Sequence, residues 1–127
     1  MSDPAVIREV LAQILESAER IKRRFAPIRS PGDFVLNEEG VDRLDGICMM
    51  LIAIGEGLKN LDKITGGELL RRYPQVDWQG AKGIRDIISH HYFEVDPDIV
   101  YDVCREKMPG LIQALQAMRE ESANGPA

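Results

Sequence analysis

Apolar residues recur along this chain at three- and four-residue steps, the period of a helix that buries one side. Ile7, Leu11, Ile14, Ala18, Ile21 and Phe25 form the first such stripe, while Arg8, Glu9, Glu16, Glu19 and Arg23 fall on the opposite side. Asp3 is placed to cap the free amides at the start, and Pro4 suits the first helical position, where an N–H would go unpaired anyway. Pro27 stops this helix, and Arg29-Ser30-Pro31-Gly32-Asp33 has turn chemistry throughout. Asn37, followed by Glu38 and Glu39, restarts a helix with an amide oxygen as cap and carboxylates at its positive end. Val41, Leu44, Ile47, Cys48, Leu51, Ile54, Leu58 and Leu61 then carry the stripe for about six turns. Ile47, Met49, Met50, Leu51, Ile52 and Ile54 leave almost no polar face in the middle of it, so a second subunit is expected to cover this region together with the chain's own core.

Gly66-Gly67 breaks the pattern, and residues 68–73 can make only a short helix before Pro74. Asp77 caps a third main helix whose inner face is Trp78, Ala81, Ile84 and Ile88. Asp96-Pro97 repeats the cap-then-proline start, opening a fourth helix with Ile99, Val100, Val103 and Cys104. Pro109 either kinks that helix or begins a fifth with Leu111, Ile112, Leu115 and Met118, before a flexible polar tail over residues 120–127. The chain carries no alternating strand pattern, internal repeat or low-complexity tract. The expected fold is all-α: an up-and-down bundle of four to five helices in a single domain over residues 1–127.

Composition narrows the function classes. A net charge of −5 argues against coating nucleic acid with the whole surface, because that binding is driven by cations displacing counterions from phosphates. The local clusters Lys22-Arg23-Arg24 and Arg71-Arg72 read as solvated helix ends. No apolar run approaches the roughly 18 residues of a membrane span, and Asp3-Pro4 sits where a signal peptide would be basic and then greasy, so a cytoplasmic protein is expected. Cys48 and Cys104 each lie in a helical apolar pattern and read as buried free thiols. Metal-ligand spacing and a glycine-rich phosphate loop are both absent, and no cofactor is implied.

One stretch looks chosen for chemistry. Residues 85–92 read Arg-Asp-Ile-Ile-Ser-His-His-Tyr and contain both histidines of the chain. On an unbroken helix Arg85 and His90 would stand about 140° apart and could not share a face. Two routes bring them together: the helix unwinds near His90, or a two-fold dimer lays the stretch of one chain beside that of its mate. Once together they suit phosphodiester cleavage. Imidazole titrates near neutrality and moves protons, guanidinium forks onto the non-bridging oxygens, and Asp86, in helical register with His90, can orient the ring. On RNA the 2′-hydroxyl can serve as nucleophile, so neither a metal nor a serine is needed. The plain alternative is a polar helix end in which Arg85 satisfies loop carbonyls or pairs Asp86. Glu56, between Gly55 and Gly57, is either the first solvated residue past the buried zone or a polar group near this stretch.

Arg85, four residues, His90, one residue and Tyr92 resemble the motif of the HepT-like branch of the HEPN superfamily. The surroundings agree: Ile54-Gly55-Glu56, Tyr73-Pro74 then Trp78, Gly83-Ile84-Arg85-Asp86, Tyr92-Phe93, Asp96 with Ile99-Val100-Tyr101, and Met108-Pro109 with Leu111. The resemblance spans nearly the whole chain and is strongest over residues 54–115. It implies a HEPN-like helical homodimer that is a metal-independent RNase, the toxin of a toxin–antitoxin pair. The partner it implies is an MNT-type nucleotidyltransferase antitoxin that neutralises the toxin by transferring AMP to the motif tyrosine. Carried onto this chain, Arg85 and His90 would be catalytic, Asp86 supporting and Tyr92 the AMPylation site. The residue between histidine and tyrosine is here a second histidine, His91, which leaves either imidazole open as the proton carrier. The rival is a non-catalytic helical dimerisation or adaptor module that binds such a partner.

Overall fold

The computed structural model describes the backbone of residues 3–91 and 94–124, and the side chains of all of these except 89–91 and 123–124. Two long rods lead: α1 over Pro4–Phe25 and α2 over Glu38–Thr65. Asp3 caps α1 by accepting from the Ala5 amide at 2.9 Å, and Asn37 caps α2 by accepting from the Gly40 amide at 2.8 Å. Both caps stand where their residue types predict. Gly66 closes α2 in the left-handed conformation (φ 63°), its N–H bonded to the Asp62 carbonyl.

The remaining two rods are composite. Short α3 (Glu68–Arg71) leads to α4 (Trp78–Lys82), and Gly83 separates α4 from α5 (Ile84–Ile88). A two-stranded antiparallel ribbon follows, β1 (Ser89–His91) with β2 (Glu94–Val95). Then α6 (Pro97–Asp102), a π-helical turn (Val103–Lys107) and α7 (Met108–Asn124) form one continuous rod. Asp96 caps α6 by accepting from the Asp98 and Ile99 amides. The layout is the expected up-and-down all-α bundle of four rods. Its core is Leu11, Ile14, Ile21, Ile47, Leu58, Leu61, Val100, Leu115 and Met118, with Phe34 sealing the α1–α2 end from a 3-10 turn over Pro31–Phe34.

Four details differ from the sequence reading. The third main helix is broken at Gly83 and stops at Ile88, because the chain turns there into the ribbon; the Asp96 amide donates to the Ile88 carbonyl at 2.8 Å. The ribbon itself lies where no strand was expected. Pro109, expected either to kink the fourth helix or to begin a fifth, is the second residue of α7, which follows the π turn without a loop. The π turn ahead of it, where the Met108 N–H reaches back to the Val103 carbonyl, widens the helix at the point where a proline ring would meet the preceding turn. Finally, α7 runs on to Asn124 past the expected tail start at residue 120, since Glu121 accepts hydrogen bonds from Arg72 and Tyr73. No helix among the described residues is long and apolar enough to cross a membrane.

Candidate active site

A five-residue helix cannot hold itself, since helices this short are unstable without outside contacts. The position of α5 is therefore set by its anchors. Ile84 and Ile88, 7% and 2% exposed, face inward, and Arg85, Asp86 and Ile87 face out. Upstream, the Trp78 indole N–H donates to the Tyr73 carbonyl at 2.8 Å and fixes the start of α4. Lys82, at the end of α4, reaches the Asp62 carboxylate of α2 at 2.6 Å.

Gly55 is the seat beneath them. A side chain there would stand 3.1 Å from the Ala81 carbonyl oxygen, 3.2 Å from that of Lys82 and 3.4 Å from the Ile84 side chain. Hydrogen on this α-carbon lets the α4–α5 junction lie directly on α2. Two residues on, Gly57 seats α1, its missing side chain replaced by Ile14. Successive seats two residues apart span about 200° of the α2 circumference. The arc between them faces outward and carries Ile52, Ala53, Glu56 and Met49, the last 65% exposed.

Arg85 and Ile87 are about 160° apart around α5. Ile87 looks toward α7, where it lines a mostly apolar cavity of about 360 Å³ with Leu51, Ile54, Val76, Met108 and Leu111. Arg85 is exposed on the other side of α5.

The helix end at Ile88 changes the relation of arginine to histidine. His90 lies in β1, out of helical register with Arg85, so the separation of about 140° computed for an unbroken helix no longer applies. For the same reason the predicted register of Asp86 with His90 is lost, and Asp86 stands exposed on α5, its amide bonded to the Gly83 carbonyl. Tyr92 lies outside the described residues, as do the side chains of His90 and His91. Glu56 pairs with Lys59 at 3.0 Å on the outward arc; it is solvated, one residue from the seat of α5. Among the described residues no three His, Cys, Asp or Glu side chains converge as a metal ion would require.

Both cysteines are buried and free. Burial, with Asp45 adding to it, pushes the Cys48 thiol up to about 11. Burial likewise pushes Cys104, with Cys48 adding to it, up to about 12. Such thiols stay protonated and are poor nucleophiles.

Sequence reasoning missed the Lys82–Asp62 pair and the role of Gly55. The pair is twenty residues apart and leaves no periodic trace. The ribbon left no alternating pattern either, since its second strand, Glu94–Val95, is only two residues long.

Comparison with known proteins finds relatives in sequence. A family model described as ribonuclease HepT-like matches residues 14–118. A candidate RNase of Methanocaldococcus jannaschii is 30% identical over 112 residues, covering 87% of this chain and 84% of that one. A second protein of the same organism, named as a gamma-glutamylcyclotransferase and candidate RNase, is 27% identical over 115 residues, 91% of this chain and 48% of its own length. The probable ribonuclease HepT of Thermococcus cleftensis is 27% identical over 74 residues, 58% of this chain and 64% of that one. No solved structure matches.

Proposed function

Because this chain belongs to the HepT-like ribonuclease family, we propose that it is a metal-independent endoribonuclease, working as a homodimer with Arg85 and His90 as catalytic residues. The observation that supports this reading is the end of α5 at Ile88, which takes His90 out of helical register with Arg85, exposed on α5. Unwinding and pairing then act together. Two copies joined through Met49, Ile52 and Ala53 would bury apolar surface left open in one chain and bring both Arg85–His90 stretches to one groove.

In that groove the 2′-hydroxyl of RNA attacks the adjacent phosphorus. An imidazole takes its proton, and Arg85 donates to the non-bridging oxygens as charge builds on them. The P–O5′ bond breaks, the leaving oxygen takes a proton from an imidazolium, and the products are a 2′,3′-cyclic phosphate and a 5′-hydroxyl. Asp86, exposed on α5, supplies a carboxylate beside the guanidinium, and Glu56 is a solvated neighbour.

The toxin role and its control belong to the same proposal. An MNT-type nucleotidyltransferase transfers AMP to Tyr92, placing bulk and negative charge where the RNA phosphate must bind. Expression of the chain alone is expected to arrest growth and leave RNA ending in cyclic phosphate. Arg85→Ala and His90→Ala abolish both effects with helix content and dimer intact, whereas His91→Ala retains them. Co-expression with the partner raises the intact mass by whole AMP units, and Tyr92→Phe does not gain them. A harmless wild type that still binds the nucleotidyltransferase would establish the adaptor reading in place of the nuclease.

A further inference from the structure

The arginine of the site stands on a helix of five residues, Ile84–Ile88, whose placement depends on contacts made before it in the chain. Among the ion pairs described, one ties the α4–α5 unit to the rest of the bundle: Lys82 Nζ to Asp62 Oδ2 at 2.6 Å, with side chains 17% and 29% exposed. Most of the other pairs join well-exposed residues, as Arg20–Glu16 and Lys59–Glu56 do within a single helix. Asp62 is seven residues from Gly55, two turns along the same stripe of α2. Lys82 therefore spans the junction. Its carbonyl presses on Gly55 at one end of the stripe, and its ammonium is held at the other. Arg85 follows three residues later.

From this geometry we infer that the Lys82–Asp62 pair, acting with Gly55, is a positioning device that sets where Arg85 meets the scissile phosphate; the inference rests on the ribonuclease reading. Neither residue touches RNA. Gly55 fixes how closely the junction approaches α2, and the ion pair fixes where along α2 it sits. A displacement of about 1 Å at a reacting group can lower a rate by roughly 10²-fold, so a modest slide of α5 is enough to silence the site.

The test compares Lys82→Met, Asp62→Asn, Lys82→Arg and the exchanged pair Asp62→Lys with Lys82→Asp, all as full chains acting on one RNA. Lys82→Met and Asp62→Asn are expected to lower kcat on the order of 10²-fold while KM stays within about twofold, since RNA binding is untouched. Lys82→Arg and the exchanged pair recover most of the rate. Hydrogen exchange read by mass spectrometry supplies a readout free of activity: peptides covering residues 84–88 exchange faster in Lys82→Met, and those of α1 do not.

Folded Lys82→Met and Asp62→Asn variants that cleave at the wild-type rate would overturn the inference. So would a lower melting temperature with kcat unchanged, which is the mark of a stability role alone. A folded wild type that cuts no RNA defeats the ribonuclease reading instead, and exchange then decides the positioning question. Faster exchange over residues 84–88 then shows that the pair holds α5 in place but leaves it no catalytic phosphate to meet; unchanged exchange there removes the device altogether.

Discussion

Replacing Gly40 by alanine tests the packing on which the α1–α2 end depends. In an open helical position the change should help, because alanine exceeds glycine in helix propensity by about 1 kcal/mol. Gly110 is such a position, with nothing within 4 Å of an added methyl group. Gly110→Ala is expected to stabilise the protein by about 0.5–1 kcal/mol. Gly40 is the opposite case. A methyl group there would stand 2.1 Å from the Asp33 carbonyl oxygen and 3.1 Å from the Phe34 carbonyl. An ordinary carbon–oxygen contact is about 3.3 Å, so the backbone must retreat by more than about 1 Å. That backbone belongs to the 3-10 turn holding Phe34, which is 0% exposed. Retreat of α2 instead would draw it away from the same Phe34 turn and would also strain the bond from the Gly40 amide to the Asn37 cap, worth about 1 kcal/mol. Full loss of the Phe34 contacts would cost about 3–5 kcal/mol, as in phenylalanine-to-alanine changes. With partial relaxation and the propensity gain subtracted, Gly40→Ala should destabilise by about 2–4 kcal/mol. Urea unfolding followed by circular dichroism, with m-values compared, measures both variants. A Gly40→Ala protein as stable as wild type would refute the seat assigned to the turn.

Met49→Glu is expected to leave stability within about 0.5 kcal/mol, because the side chain is 65% exposed in one chain, and, on the proposed dimeric ribonuclease reading, to give a monomer that no longer cleaves RNA; light scattering checks the mass. Burial holds the Cys48 and Cys104 pKa values at about 11 and 12, above the ordinary 9.0. Their contribution to stability is therefore complete below pH 9 and is lost as pH rises toward 11–12, so the unfolding free energy should hold level up to pH 9 and fall between pH 9 and pH 11, less steeply in Cys48→Ala. At pH 8 neither thiol should react with an aromatic disulfide reagent until the chain unfolds. Burial, with the Glu121 hydrogen bond adding to it, raises Tyr73 to about 12. Glu121→Ala should bring that titration back toward 10, read by ultraviolet absorbance. The same change should cost no more than about 1 kcal/mol, because the Arg72–Glu121 pair is exposed.

Local rules carried much of the fold. Asp3, Asn37, Asp77 and Asp96 each cap the helix that their residue type announces, since capping depends on atoms two or three positions away. The stripes of α1 and α2 are buried nearly as their period requires, with Val41 at 40% the exception. The candidate site stands out by residue type, but its local geometry was not legible in the sequence. Ile84 and Ile88 keep helical spacing up to the last turn of α5, and residues 88–91 contain no glycine or proline to announce its end. What ends it is non-local: pairing of Ser89 with Val95 and of His91 with Glu94 offers the backbone an alternative ladder. A reading by period alone runs the helix through His90 and then needs a special device to bring the imidazole round.

The break also explains why the site needs supports far from it. A continuous helix of four turns over residues 78–91 would have aimed Arg85 by its own hydrogen bonds. The actual chain divides that span into two five-residue helices and a strand, so its orientation must come from tertiary contacts, those with α2 and with the start of α6 among them. Those contacts are small and specific: a glycine that lets two carbonyls approach, one ion pair and two buried isoleucines. A unit held this way can be moved by few changes. On the proposed reading, substitutions at Arg85 should remove chemistry and leave the fold, whereas substitutions at Gly55 or Lys82 should leave the chemistry in place and misdirect it.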